Sequence, residues 1–156
     1  MKIRPATLDD LCNIRALLPY LVAFSVPKDR DAEDFWMGDY FLYKKILEGS
    51  QKDAFALVVE ISGQIVATSL VSFRDEILSG KPSSHLEVIV VHPEYHGKGI
   101  AHKLMETSEA LALEGGAFCM TLHAYHENHR ARSFYDKLDY CGEFLRYRKV
   151  LKKSKA

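Results

Sequence analysis

Between Val90 and Met105 the sequence VVHPEYHGKGIAHKLM joins an apolar β-type run to an amphipathic helix through a turn that holds Gly97 and Gly99. The N–H groups that begin a helix lack intrahelical partners and lie at the positive end of its dipole. Glycines before such a helix let a phosphate approach these donors closely, which predicts an anion site with Lys98 at its rim. A plain strand–helix turn, where glycine is common, remains the alternative.

Two well-known phosphate-binding patterns do not fit this turn. A Walker loop needs G-x-x-x-x-G-K-[ST], which the sequence lacks. A dinucleotide-binding turn needs G-x-G-x-x-G, but His102 occupies the third glycine position. The next predicted strand, residues 118–125, also has no acidic residue placed to bind a ribose. Neither pattern therefore explains the turn.

Length and charge limit the classes of protein that this chain can be. Its 156 residues predict a single domain, 1–156, that is long enough to bury a substantial core. Lys plus Arg and Asp plus Glu each number 21, so the formal net charge is zero and a nucleic-acid or anionic membrane partner is not expected. The short basic tail, residues 146–155, is interpreted as a solvated end.

The same sequence predicts a reduced, cytoplasmic setting. The charged N-terminus has no apolar segment of the kind found in signal peptides. No apolar run approaches the ~20 residues that span a bilayer. The three cysteines are an odd number without metal-type spacing, and the seven histidines do not group with Cys or Asp at ligand spacing, so no metal is expected.

Hydrophobic periodicity predicts a mixed α+β fold, a largely antiparallel sheet with helices on both sides. Pro19 is expected to kink or end the first helix, and Gly115 and Gly116 to end the third. The predicted order is β-α-α-β-β-β-α-β-α-β, with strands at 2–6, 54–61, 64–73, 85–91, 117–125 and 143–151 and helices at 7–24, 31–49, 98–116 and 129–138.

The glycine turn resembles the acyl-CoA loop of the GNAT superfamily of N-acetyltransferases, whose pattern is [Q/R]-x-x-G-x-[G/A] after a strand ending V-x-P. Here Val91-His92-Pro93 precedes His96-Gly97-Lys98-Gly99-Ile100-Ala101, and His96 departs from the usual Gln or Arg. The resemblance implies that backbone amides from Gly97 to His102 hold the coenzyme A pyrophosphate. It also implies acetyl-CoA as co-substrate.

A second segment, NHRARSFYDKLDY from Asn128 to Tyr140, is similar to the superfamily's N-x-x-[A/S]-x-x-[F/L]-Y-x-[K/R]-x-G-[F/Y], with Asp139 in place of the usual glycine. With the N-terminal IRPATLDDLCNIRALL, the resemblance covers nearly the whole chain. It implies the acyl-CoA N-acyltransferase (GNAT) fold, a twisted mixed sheet in which strands 86–91 and 117–125 splay apart and admit the pantetheine arm.

The resemblance also implies contacts to that arm. The backbone at Ile89, Val90 and Val91 is expected to pair with pantetheine as a further strand would, with the Val91 N–H as oxyanion donor. Asn128 is expected to hydrogen-bond the same arm. The full predicted cofactor set is Ile89, Val90, Val91, His96, Gly97, Lys98, Gly99, Ile100, Ala101, His102, Asn128 and Tyr135.

Tyr135 is the candidate acid for the departing thiolate. A phenol has a pKa of about 10, so it keeps its proton at neutral pH and can donate it. Tyr135 also matches the family's Tyr position. The alternative is a packing aromatic beside Phe134, which is itself interpreted as core.

Glu87 is the candidate base for the amine proton. Strand alternation would place Glu87, Ile89 and Val91 on one face and Leu86, Val88 and Val90 on the other. LEVIVVHPEYHGKGI resembles the acidic strand of the superfamily's small-amine acetyltransferases, polyamine enzymes among them. A salt-bridged strand carboxylate is the equal alternative. Three histidines are lesser candidates: His85, His92 and His123.

An acidic and aromatic segment, DRDAEDFWMGDYF at residues 29–41, lies where the family's acceptor cleft is walled. Acids beside aromatics would attract a cationic amine. The alternative is that acidic residues favour the start of a helix.

These features predict an enzyme that transfers acetyl from acetyl-CoA to a primary amine directly, in a ternary complex, with a small amine as acceptor. A protein or peptide amine as acceptor and a non-catalytic acyl-CoA sensor remain alternatives. The sequence leaves open whether the chain forms a homodimer.

Overall fold

The structure is a computed structural model that describes residues 1–151. Residues 152–156, the end of the predicted domain and of the basic tail, lie outside the described residues. The chain divides into two compact units, Met1–His123 and Ala124–Ala156. The single domain expected from chain length therefore stays a prediction.

The first unit is built on a five-stranded sheet in which the strands lie side by side in chain order. The first three pairs of neighbouring strands are antiparallel and the last pair is parallel, so the predicted mixed, mostly antiparallel sheet is confirmed. The strands are β1 (Lys2–Pro5), β2 (Ala54–Ile61), β3 (Gln64–Asp75), β4 (Pro82–Val91) and β5 (Met120–Leu122).

Two helices, α1 (Leu11–Leu17) and α2 (Met37–Leu47), cover one face of the sheet. Both are shorter than predicted because 3-10 turns take their ends. The turn Leu18–Leu21 contains Pro19, which has no N–H to continue an α-helix. The core beneath these helices contains Ile14, Leu17, Leu18, Trp36, Tyr43, Ala56, Val58, Leu70, Val88 and Val90.

The opposite face of the sheet packs against α3 (Ile100–Glu114). Its buried residues recur at helical spacing: Ile100, Leu104, Met105, Ser108 and Ala112. The helix ends before Gly115, as predicted. A Cβ at Gly115 would lie 2.4 Å from the Phe73 ring, so close packing against the sheet requires glycine there.

The second unit contains α4 (His129–Asp136). Asn128 caps this helix, since its Oδ1 accepts a hydrogen bond from the Ala131 N–H at 3.1 Å. Asp139 has φ = 61°, the left-handed conformation that suits glycine. This is the position at which the family pattern has glycine.

The strand predicted at residues 143–151 is wrong. Residues 140–151 carry no regular secondary structure. The exposed side chains include Phe144, Leu145, Tyr147, Val150 and Leu151. Alternating apolar residues indicate a face that can be buried, but a strand also needs a neighbour for its N–H and C=O groups.

Two further points concern the cysteines and membrane-spanning helices. Cys12 and Cys141 are exposed at the surface. Within residues 1–151, no helix is long and apolar enough to cross a membrane.

Candidate active site

The candidate site begins where β4 and β5 part. The two strands pair in parallel only from Ser84 with Met120 to Leu86 with Leu122. β4 then continues to Val91, whereas β5 ends at Leu122. The predicted splaying of these strands is confirmed, and β5 is shorter than the predicted 117–125.

Glu87 lies at this point as the extra residue of a β-bulge. Leu70 pairs with Val88 and Val71 pairs with Leu86, so nothing on β3 opposes Glu87. A bulge interrupts the ladder and increases the local twist of the strand. This distortion explains why β4 separates from β5 directly after Leu86.

The bulge corrects the predicted alternation. Leu86 pairs with Val71 and Ile89 packs in the cluster under α3, so both lie on the α3 face. Glu87 instead contacts Ser72, whose strand partner is His85, on the face that carries α1 and α2. Because one residue is inserted, Glu87 changes face and no longer shares one with Ile89.

Three polar side chains surround the Glu87 carboxylate. The Ser72 hydroxyl donates to Oε1 at 2.5 Å, and the Arg74 guanidinium forms an ion pair with the same oxygen. Arg74 Nη2 also donates to the Ser72 hydroxyl at 2.7 Å. His85 Nε2 lies 4.0 Å from Oε2. We call Ser72, Arg74, His85 and Glu87 the β4 polar cluster.

His85 is a buried, neutral member of this cluster. Burial, with the nearby charges of Arg74 and His123, lowers the pKa of His85 to about 4. His85 Nδ1 lies 2.7 Å from the Thr121 hydroxyl, which is also 3.3 Å from the Ser84 carbonyl. The other ring nitrogen, Nε2, faces Glu87. The His123 ring lies 4.7 Å from the His85 ring.

Some backbone groups of β4 point toward the edge of the strand that β5 no longer pairs with. The His92 N–H donates to Val66 O on β3 at 2.8 Å, and alternate residues of an antiparallel pair point the same way. The backbone N–H and C=O groups of Ile89 and Val91 therefore point away from β3. Those of Val90 point toward β3, and its side chain is 5% exposed and lies in the core. This predicted contact residue therefore offers no atom to the open side.

The glycine turn presents backbone rather than side chains. Gly97 and Gly99 both have φ = 74°, and a Cβ at either would meet no atom within 4 Å. Left-handed backbone, not tight packing, thus requires both glycines, and open space lies before them. The first α3 bond runs from Lys103 N–H to Gly99 O at 3.1 Å, which leaves the preceding N–H groups without helical acceptors.

The side chains of the turn are engaged elsewhere. His96 Nε2 donates to the Val91 carbonyl at 2.8 Å and ties the turn to the end of β4. Lys98 Nζ lies 4.6 Å from the centre of the Tyr95 ring. Of the remaining predicted residues, His102 Nε2 is 3.2 Å from Glu106 Oε1, Ile100 is in the core and Ala101 packs beside it.

In the second unit, Tyr135 is half-buried on α4 beside two aromatic rings. The centre of its ring is 5.5 Å from that of Phe134 and 6.0 Å from that of Tyr140. Burial raises the pKa of Tyr135 to about 12, so the phenol is protonated at neutral pH. The packing alternative and the acid role are thus compatible with the same placement.

The acidic segment at 29–41 has local partners. The Asp34 carboxylate accepts from the Asp31 N–H at 3.0 Å, as expected for an acid at a helical turn. The Arg30 guanidinium lies 5.9 Å from the centre of the Phe35 ring. Burial raises the pKa of Asp39 to about 6. These contacts favour the local explanation for this segment.

Sequence reasoning missed Ser72 and Arg74. They alternate at the end of β3, but nothing in the sequence shows that a bulge brings Glu87 to their face. His85 was a lesser candidate. Within residues 1–151, no three His, Cys, Asp or Glu side chains are grouped to hold a metal ion.

Comparison with known proteins places this geometry in a family. A model of the acetyltransferase (GNAT) family matches residues 16–140. An uncharacterized N-acetyltransferase of Archaeoglobus fulgidus is 32% identical over 143 residues, covering 89% of this chain and 92% of the relative. The uncharacterized N-acetyltransferase YhfO of Bacillus subtilis (strain 168) is 26% identical over 140 residues, covering 90% and 89%.

Solved structures show the same fold at low identity. A ribosomal-protein-alanine N-acetyltransferase from Brucella melitensis has a TM-score of 0.70 at 20% identity, covering 97% of this chain and 99% of that one. The aminoglycoside N-acetyltransferase AAC(6')-Iy, solved with CoA, has a TM-score of 0.70 at 19% identity, covering 96% and 100%. The chain therefore belongs to the acetyltransferase (GNAT) family and is an acetyl-CoA-dependent N-acetyltransferase.

Proposed function

We propose that this enzyme acetylates the primary amine of a small molecule by direct transfer in a ternary complex, with Glu87 as base and Tyr135 as acid. The observation that supports this most is the position of Glu87, at the bulge where β4 leaves β5. A carboxylate there lies beside the open strand edge on which the acyl donor would rest.

The residues of β4 and the glycine turn fit acetyl-CoA. Backbone groups of Ile89 and the Val91 N–H face the open side and can bind the pantetheine arm and its thioester, while the Val91 carbonyl accepts from His96. The first N–H groups of α3, with open space before Gly97 and Gly99, suit a pyrophosphate. Oδ1 of Asn128 caps α4, which leaves its Nδ2 as a donor for the arm.

The bound acetyl-CoA supplies the acetyl group as a thioester, and the reaction forms an N–C bond to the amine and breaks the C–S bond. In this proposal the Val91 N–H donates to the thioester oxygen, where negative charge develops. His96, which donates to the Val91 carbonyl, holds that backbone in position. Its role is one of positioning.

Three proton transfers are needed. A free alkyl amine has a pKa of about 10.4, so it arrives protonated and must lose a proton before it attacks. Glu87 Oε2, which neither Ser72 nor Arg74 contacts, accepts this proton, directly or through water. The Tyr135 hydroxyl, protonated because burial raises its pKa to about 12, gives its proton to the departing thiolate. The second proton, which the nitrogen loses as it becomes an amide, restores the Tyr135 hydroxyl through water, and Glu87 returns its proton to solvent.

An amine panel with acetyl-CoA, read as free thiol, tests the proposal. Polyamines, amino sugars, amino acids and short peptides are included, and calorimetry with coenzyme A is run alongside. Thiol release with a small amine is expected. Activity confined to peptides would overturn the small-molecule acceptor, and coenzyme A binding without any activity would favour the sensor.

Tyr135→Phe tests the acid separately. Loss of the donor is expected to lower kcat by about tenfold to 100-fold with every responsive amine, because the thiolate must leave unprotonated. Phe134→Leu is the matched control, since it alters the neighbouring ring without removing a proton. Undiminished thiol release by Tyr135→Phe would show the acid assignment to be wrong.

The cytoplasmic setting and the homodimer also stay predictions.

A further inference from the structure

We propose that the acceptor is a zwitterion, an amine that carries a carboxylate a few bonds from its nitrogen, and that Arg74 binds this carboxylate. The inference rests on the proposed function and names the substrate class of the same site. It would replace the cationic polyamine suggested by the acidic segment.

The first step is the availability of the Arg74 guanidinium. Its contacts within residues 1–151 use Nη2 alone, which donates to Ser72 and pairs with Glu87. A guanidinium has five N–H donors in a planar fork, so Nη1 and Nε remain for another acceptor. The Arg74 side chain is 45% exposed, which leaves room for a ligand to approach.

The second step is charge. Arg74 already neutralises Glu87, and His85 is neutral, so the β4 polar cluster has no net negative charge to attract a cationic amine. A purely cationic acceptor would meet the Arg74 charge unfavourably. A zwitterion balances both residues, because its carboxylate pairs with Arg74 and its ammonium group with Glu87.

The third step is geometry. Arginine binds a carboxylate through two parallel N–H donors, a stronger arrangement than a contact through one nitrogen. The single-nitrogen contact of Arg74 with Glu87 can therefore give way to a ligand carboxylate. Since Arg74 and Glu87 touch, the two charged groups of the acceptor must lie close together, as in an amino acid. The exchange also frees Glu87 Oε1 for the amine proton.

The test uses matched triplets of acceptors: an amino acid, its primary amide and its decarboxylated amine, over several side chains, with acetyl-CoA and free-thiol detection. The wild-type enzyme is expected to favour the acid over both partners by at least about tenfold in kcat/KM, chiefly through KM. A matching aminophosphonate distinguishes a planar carboxylate from a general requirement for an anion. Equal use of acid and phosphonate would overturn the carboxylate assignment.

Variants assign the preference to Arg74. Arg74→Met is expected to abolish the preference for the acid, and Arg74→Lys to keep part of it. Arg15→Met, which removes an exposed arginine stacked on Tyr40 of α2, is the control and is expected to keep it. Thermal melting and coenzyme A calorimetry check each variant. If Arg74→Met does not fold, Arg74→Gln, which retains a donor without charge, takes its place.

The outcomes separate this inference from the proposed function. Acetylation of amines irrespective of a carboxylate, or a preference that persists without Arg74, would overturn the zwitterion and leave small-amine acetylation standing. Acetylation of no small amine would overturn both. Preference for the acid that disappears with the Arg74 charge supports both.

Discussion

Two arginine–carboxylate pairs of the same chemistry lie on the sheet of the first unit, and they differ in how they are held. At the β1 end, Arg4 donates through two nitrogens to both oxygens of Asp10, at 2.7 and 2.9 Å. The Thr7 N–H donates to the same carboxylate at 2.8 Å, and Arg4 also reaches Glu60. Asp10 is 5% exposed.

The pair in the β4 polar cluster is looser. Arg74 meets Glu87 through one nitrogen and one carboxylate oxygen, and its side chain is 45% exposed, against 25% for Arg4. Ser72 is the only further donor to Glu87 among residues 1–151. An exposed, single-contact pair contributes little to stability, whereas a bidentate pair with extra donors contributes more.

The difference indicates a division of roles. Asp10 fixes the connection between β1 and α1. Both of its carboxylate oxygens accept hydrogen bonds, so neither is left for a ligand. Glu87 stands at a break in the sheet with one oxygen unengaged. We expect loss of Asp10 to affect folding and loss of Glu87 to affect chemistry.

The largest effect is expected from Glu87→Gln. Removal of a positioned general base lowers kcat/KM by about 100-fold or more, because the amine keeps its proton. The melting temperature should change little, since the exposed Arg74 can be hydrated. Steady-state thiol release and thermal melting measure the two quantities. Activity within about threefold of wild type would remove Glu87 from the mechanism and leave the salt-bridge alternative.

Asp10→Asn should show the reverse. The variant weakens the hydrogen bonds of Arg4 and Thr7, and we expect the free energy of unfolding to fall by about 2 kcal/mol with kcat/KM unchanged. Urea unfolding measures the loss. Asp9→Asn, which alters the neighbouring exposed carboxylate, is the control and should cost less than about 0.5 kcal/mol. Equal effects of the two variants would contradict the structural role of Asp10.

The pH dependence of stability should separate the contributions of His85 and Asp10. Burial lowers the pKa of His85 from 6.5 to about 4, so the unfolded chain binds more protons at this residue and its contribution to stability falls as pH drops from 6.5 toward 4. Burial raises the pKa of Asp39 to about 6, which acts in the opposite direction over much of this range. The Arg4 hydrogen bonds lower the pKa of Asp10 from 3.8 to about 2, so its contribution is present above about pH 4 and is lost as pH falls toward 2.

Urea midpoints of wild type, His85→Gln and Asp10→Asn across pH 7 to 2 test these windows. His85→Gln should change the pH slope in the upper window alone and Asp10→Asn the slope in the lower one alone. A slope between pH 6.5 and 4 that is the same in wild type and in His85→Gln would contradict a buried, neutral His85.

The smallest effect is expected from Ser72→Ala. The hydroxyl both donates to Glu87 and accepts from Arg74, so its loss loosens the base and should lower kcat by a few-fold, with KM for acetyl-CoA unchanged. Ser83→Ala removes a hydroxyl that donates to the Arg74 backbone carbonyl and serves as control. A larger loss for the control would show that the strand ends, rather than the cluster, are sensitive.

Local patterns in the sequence predicted the helix and the turn of the candidate site well. The spacing of buried residues in α3 and its end at Gly115 follow from residue type over a few positions. The glycine turn was identified in the same way, and its role in binding stays a prediction.

The errors arose where one segment depends on another. The bulge at Glu87 exists only in the pairing of β4 with β3, so alternation along β4 alone placed this side chain on the wrong face. Ser72 and Arg74 were missed for the same reason. The strand predicted at residues 143–151 failed because apolar alternation does not supply a neighbouring strand.

The amino-acid order was sufficient for the family, through its motifs, and for the five strands of the sheet and the helices that pack on it, since periodicity over a few residues sets these elements. Pairing of distant segments decided which side chains surround Glu87, how tightly Arg74 holds it and which β4 groups face an open edge. Those features depend on register and packing between residues far apart in the chain, which no local pattern encodes.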